Sequence, residues 1–71
     1  MKLGKALRAK RRINDLTQAE LAELAGVSRI NISQYEHNVK NPSLETLVAL
    51  ADVLECSIDG LLGRYQYIRK D

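Results

Sequence analysis

The residues best suited to chemistry lie close together in Arg29-Ile30-Asn31-Ile32-Ser33-Gln34-Tyr35. Arg29 carries a planar fork of donors that matches guanine O6 and N7. Gln34 offers a donor and an acceptor side by side, matching adenine N6 and N7. Ile30 can pack on a thymine methyl, and Ser33 is small enough to touch base or phosphate. On a helix that buries Ile32 and Tyr35, a turn of about 100° per residue directs Arg29, Ile30, Ser33 and Gln34 outward or partly outward. Simpler roles exist for each: an exposed cation for Arg29, a solvated amide for Gln34 and a half-buried core residue for Ile30. Catalytic chemistry is far less well served. The single histidine, His37, has no Cys pair or carboxylate triad nearby. Ser28, Ser33, Ser43 and Ser57 lack a His–acid partner and read better as helix caps or contacts than as nucleophiles. No enzyme, metal site or cofactor is expected.

Holding such side chains outward requires short helices with defined ends, and the sequence supplies the punctuation. A first helix is expected over about residues 2–14, with Leu3, Ala6, Leu7 and Ile13 inward. Thr17-Gln18-Ala19-Glu20 is a capping box opening a second helix, with Leu16 and Leu21 as its hydrophobic staple. That helix runs to Ala25 and Gly26 breaks it. Val27 plugs the turn, and Ser28 caps a third helix ending near Glu36. After the polar loop 37–42, Ser43 caps a fourth helix with Leu44, Leu47, Val48, Leu50, Ala51 and Leu54 at three- and four-residue steps. Ser57 caps a short fifth with Ile58, Leu61 and Leu62. Two short helices meeting at ~90–120° need a small residue where they cross and a free backbone at the turn. Ala22 and Gly26 meet those needs, and residues 18–37 are the segment concerned.

Composition narrows the setting. A chain of 71 residues buries only roughly 60% of its unfolded surface and has little room for an enclosed substrate cavity. The lone Cys56 rules out an internal disulfide and suits a small buried hydrophobe between two helices better than a reactive thiol. The lack of disulfides and of an export sequence favours the cytoplasm. No apolar run approaches the ~20 residues of a membrane span. Net charge is only +2, yet Lys2, Lys5, Arg8, Lys10, Arg11 and Arg12 crowd the first twelve residues without an acid. Between Ser43 and Leu62 every charge is negative: Glu45, Asp52, Glu55 and Asp59. One face can therefore meet a polyanion while another turns away, although basic runs are often only solvated helix surface.

From Leu3 to Gly63 the chain resembles the phage repressor and Cro-type helix-turn-helix family, also called the XRE family. The resemblance rests on Leu3-Gly4 with Leu7 and Arg11, on Leu16-Thr17-Gln18-Ala19-Glu20-Leu21-Ala22, and on Val27-Ser28 with Ile32-Ser33-Gln34-Tyr35-Glu36. Asn41-Pro42-Ser43-Leu44-Glu45-Thr46-Leu47 and Ser57-Ile58 through Leu61-Leu62-Gly63 extend it. It implies an all-α, five-helix lambda-repressor-like domain over residues 1–63, followed by a tail at 64–71. The third helix would enter the major groove, with Ser28, Arg29, Ile30, Ser33 and Gln34 reading bases. Gln18 would reach a phosphate from the amide-rich start of the second helix. Asn31, Asn38, Lys40 and Asn41 are candidates for a second phosphate clamp. An Arg11–Glu36 pair, partly buried beneath the reading surface, is also implied. Two departures stand out: the family commonly has Gly where this chain has Asp15 and Asn38, the residue types next best suited to left-handed backbone.

The resemblance makes double-stranded DNA the expected partner and a homodimeric repressor on an inverted-repeat operator the expected function. Ile58, Leu61, Leu62, Tyr65, Tyr67 and Ile68 exceed what so small a core needs and are the expected dimer surface. The alternative is an antitoxin-type or other protein-interaction module built on the same fold.

Overall fold

A computed structural model describes residues 2–62. Among these, five helices follow one another without a strand: α1 (Gly4–Ile13), α2 (Gln18–Ala25), α3 (Arg29–Glu36), α4 (Leu44–Val53) and α5 (Ile58–Leu62). The Thr17 hydroxyl accepts from the Glu20 amide at 3.0 Å, and the Glu20 carboxylate accepts from the Thr17 amide at 2.8 Å. Ser28, Ser43 and Ser57 each accept from an amide three residues on. Each cap satisfies one of the amides that a helix start leaves without a partner.

Helix ends are equally well defined. Gly26 closes α2 with φ +76°, the left-handed geometry that lets the chain turn straight into α3. Three other exits use the same backbone region without glycine: Asp15 (φ +57°), Asn38 (φ +58°) and Glu55 (φ +53°).

The core gathers Leu3 and Leu7 from the chain start, Leu21 and Ala22 from α2, and Ile32 and Tyr35 from α3. Leu47, Leu50, Ala51, Leu54 and Leu61 complete it. α3 packs on α1 and α2, while α4 and α5 close the other side against α2 and α1 respectively. Cys56 is half-buried against this core, and burial pushes its thiol up, away from the thiolate form.

Several expectations need correction. Ile13 is 73% exposed rather than inward. It lies about 240° around the helix from Leu7, and the half-buried positions of that turn fall instead to Lys10 and Arg11. Leu44 and Val48 are exposed, while α4 buries Leu47, Leu50 and Ala51, and its C-cap Leu54 joins them. Leu61 has no exposed surface at all: it belongs to the monomer's own core and is not free to meet a second chain. Ile58 and Leu62 are partly buried against the same core. Tyr65, Tyr67 and Ile68, with the remainder of the 64–71 tail, lie outside the described residues.

Candidate nucleic-acid interface

Helix α3 has two unlike faces. Ile32, Tyr35 and Glu36 are buried, fixing one side against α1 and α2. Arg29 and Ile30 are exposed, Ile30 at 62%, while Ser33 and Gln34 are half-buried at the edge of that surface. Ile30 is thus a large apolar side chain in solvent rather than part of the core. Ser28 uses its hydroxyl oxygen to accept from the Asn31 amide at 3.1 Å, which leaves its proton free to donate elsewhere. The outcome is a short outward strip holding a guanidinium, a branched aliphatic, a hydroxyl and an amide.

Beneath the strip sits one buried carboxylate. Glu36 has a side chain only 1% exposed, and three side chains converge on it. Arg11 Nε donates to Oε2 at 2.6 Å and its second terminal nitrogen donates to Oε1 at 3.1 Å, a bidentate fork. Gln18 Nε2 donates to Oε1 at 3.1 Å, and Arg8 Nε stands 3.7 Å from the same oxygen. Burial alone would raise the Glu36 carboxyl, but the bonds from Arg11 and Gln18, with the charges of Arg11 and Arg8, hold it below its ordinary value. The bond to Glu36 correspondingly raises the Arg11 guanidinium. Arg11 also donates to the Leu16 carbonyl at 2.9 Å, so one guanidinium joins α1, the α1–α2 turn and the end of α3.

The family resemblance pairs Arg11 with Glu36 but leaves Arg8 out and gives Gln18 only an outward role; in the structure both Arg8 and Gln18 face the carboxylate. Spacing contained the missing signal: Arg8 lies three residues before Arg11, on the same helix face. Gln18 nonetheless keeps its carbonyl oxygen free of Glu36, at the first position of α2.

The remaining candidates follow α3. Lys40 Nζ donates to Asn31 Oδ1 at 3.4 Å, which groups those two. Asn41 is exposed beyond them. Asn38 is directed differently, since its Oδ1 accepts from the Gly4 amide at 3.0 Å. The His37 ring places Nδ1 2.8 Å from the Ser33 carbonyl; with the proton on Nδ1, the ring donates to the last turn of α3. Among the described residues no three His, Cys, Asp or Glu side chains come together as a metal-ligating group, and no helix is long and apolar enough to cross a membrane.

The cryptic phage CTXphi transcriptional repressor RstR of Vibrio cholerae is 40% identical over 65 residues, covering 92% of this chain and 58% of RstR. Repressor protein C2 of Salmonella phage P22 is 42% identical over 60 residues, covering 84% of this chain and 28% of C2. The chain thus spans just over half of one relative and less than a third of the other. The crystal structure of the P22 c2 repressor in complex with a synthetic operator superposes with a TM-score of 0.84 at 39% identity, covering 90% of this chain and 97% of that one. A helix-turn-helix family model matches residues 7–61, which span α2, α3 and the whole of the buried Glu36 cluster. This chain therefore belongs to the helix-turn-helix family of phage repressor and Cro-type proteins.

Proposed function

We propose that this chain is a sequence-specific, double-stranded DNA-binding regulator, a homodimeric transcriptional repressor working in the cytoplasm and not an enzyme. The observation that carries the reading is the two-faced α3: a buried side anchored to α1 and α2, and an outward strip of Ser28, Arg29, Ile30, Ser33 and Gln34. Likeness to a repressor domain bound to its operator supports the same placement of α3 in a major groove. Within it, Arg29 reads guanine, Gln34 reads adenine and Ile30 packs on a thymine methyl.

Gln18, Asn31, Lys40 and Asn41 grip phosphates on either side, fixing register without carrying sequence information. One domain offers few base contacts. Two-fold pairing doubles them and calls for an inverted repeat whose half-site centres lie about 10 base pairs, or ~34 Å, apart. Ile58 and Leu62, with the residues after them, are the surface proposed for pairing. The repressor functions named for RstR and C2 favour this reading over the antitoxin-type alternative.

Selection from a random duplex library tests the proposal. The wild type enriches an inverted repeat, while Arg29→Ala and Gln34→Ala each lose ~1–3 kcal/mol on it and relax preference at particular base pairs. If both variants return the wild-type sequence profile, α3 is not the reading element.

A further inference from the structure

Helix α1 begins without a cap of its own. Leu3, at its N-cap position, makes no side-chain bond to the first turn. The Gly4 amide, the first of the helix, is instead satisfied by Asn38 Oδ1 at 3.0 Å, from a residue 34 positions further along the chain. Asn38 stands two residues beyond α3, in left-handed backbone (φ +58°), and its own amide donates to the Tyr35 carbonyl at 3.2 Å. Gly4 is pressed against the same helix end: a Cβ there would sit in the Glu36 carbonyl oxygen and 2.9 Å from that of Tyr35. The Arg11–Glu36 fork, two helical turns away along α1, is a second tie to the end of α3. A glycine at position 38 would reach the same backbone conformation, yet it has no acceptor to offer Gly4.

From this geometry we propose that Asn38 is a positioning residue for DNA reading. It caps α1 from the far end of α3 and so fixes the angle at which the recognition helix leaves the domain. The proposal rests on the DNA-binding reading above, and it gives Asn38 a role other than the phosphate contact expected from sequence. Loss of a phosphate contact weakens binding to every duplex alike, because such contacts carry no sequence information. Loss of the α1–α3 tie instead lets α3 rock, so the preferred site suffers more than a random one.

The experiment compares Asn38→Gly with Asn38→Asp in the full chain. Asn38→Gly keeps the backbone conformation and deletes the acceptor. Asn38→Asp keeps an acceptor, and its charge suits a helix start. Two quantities are read: exchange of the Gly4 amide in the free protein, and the ratio of affinities for the selected site and a random duplex.

In Asn38→Gly the Gly4 amide exchanges faster and the ratio falls roughly 2- to 10-fold, the scale of one hydrogen bond. In Asn38→Asp the amide regains protection and the ratio recovers, although the added anion lowers affinity for both duplexes. A ratio unchanged in Asn38→Gly, with both affinities reduced equally, would overturn the proposal in favour of a phosphate contact. Failure of Asn38→Asp to restore the ratio would overturn it as well. A wild type without any preferred duplex overturns the DNA reading itself, a result distinct from either.

Discussion

At the scale of single residues, the buried Glu36 carboxylate ties stability to pH. Its folded-state carboxyl titrates below the ordinary 4.5, so the unfolded chain takes up the proton first as pH falls. The stabilisation it brings is complete above that ordinary value and is lost as pH drops through the folded one. Urea unfolding across an acid series should therefore show the stability difference between wild type and Glu36→Gln shrinking as the solution becomes more acidic. A difference that stays constant down to the foot of the titration would mean that the carboxylate is not held in its charged form by Arg11, Gln18 and Arg8. Removing the cation is more severe. Arg11→Ala strands a charge whose side chain is 1% exposed, and the expected cost is ~3–5 kcal/mol, at the lower end because Gln18 and Arg8 remain. A loss below ~1 kcal/mol by denaturant titration would class the pair with solvent-screened surface bridges.

At the scale of elements, two glycines are required for different reasons, and two alanine variants separate them. At Gly26 the neighbourhood is empty, so Gly26→Ala meets only the cost of left-handed backbone, ~1–2 kcal/mol. At Gly4 the methyl would collide with the backbone of Tyr35 and Glu36, which cannot rotate aside as a side chain would. Gly4→Ala is expected to cost at least as much, about 1–3 kcal/mol, and to loosen α1 from α3. Thermal melts of the two variants check the order. A smaller loss in Gly4→Ala than in Gly26→Ala would show that the helix ends are less tightly pressed together. Helix starts were legible in the sequence because caps are local: a Thr or Ser and an amide three residues on suffice. The cap of α1 was illegible for the converse reason, since its acceptor comes from 34 residues away. Ile13 misled for a geometric reason, an apolar residue a third of a turn off the buried stripe.

At the scale of the whole molecule, charge is sorted by region, with the cations concentrated in α1 and the acids of residues 43–62 in α4, α5 and the turn between them. Binding should be largely electrostatic, so affinity falls steeply with salt. Lys40→Ala is expected to lower the slope of log affinity against log salt by about 1, and to weaken preferred and random duplexes alike. A slope equal to that of the wild type would remove Lys40 from the phosphate clamp. The outward strip of α3 was legible because its register follows from the buried pair Ile32 and Tyr35 in the same short helix. The reach of the core into α5 was not. Apolar composition alone cannot distinguish a residue such as Leu61, consumed by its own core, from one left over for a partner.

The left-handed exits at Asp15, Asn38 and Glu55 also leave a thermal margin unused. A glutamate at φ +53° bears a strain that glycine does not, partly offset by the greater freedom glycine brings to the unfolded chain. Glu55→Gly should therefore raise the melting temperature by a few degrees, since ~1 kcal/mol corresponds to roughly 4–8 °C in a domain of this size. Asp15→Gly should act in the same direction. Asn38→Gly should not, because the strain relieved is matched by the hydrogen bond forfeited at Gly4. Glycine at each of the three joints would thus yield heat resistance at two of them and none at the third, where the chain has exchanged that resistance for a fixed angle between helices.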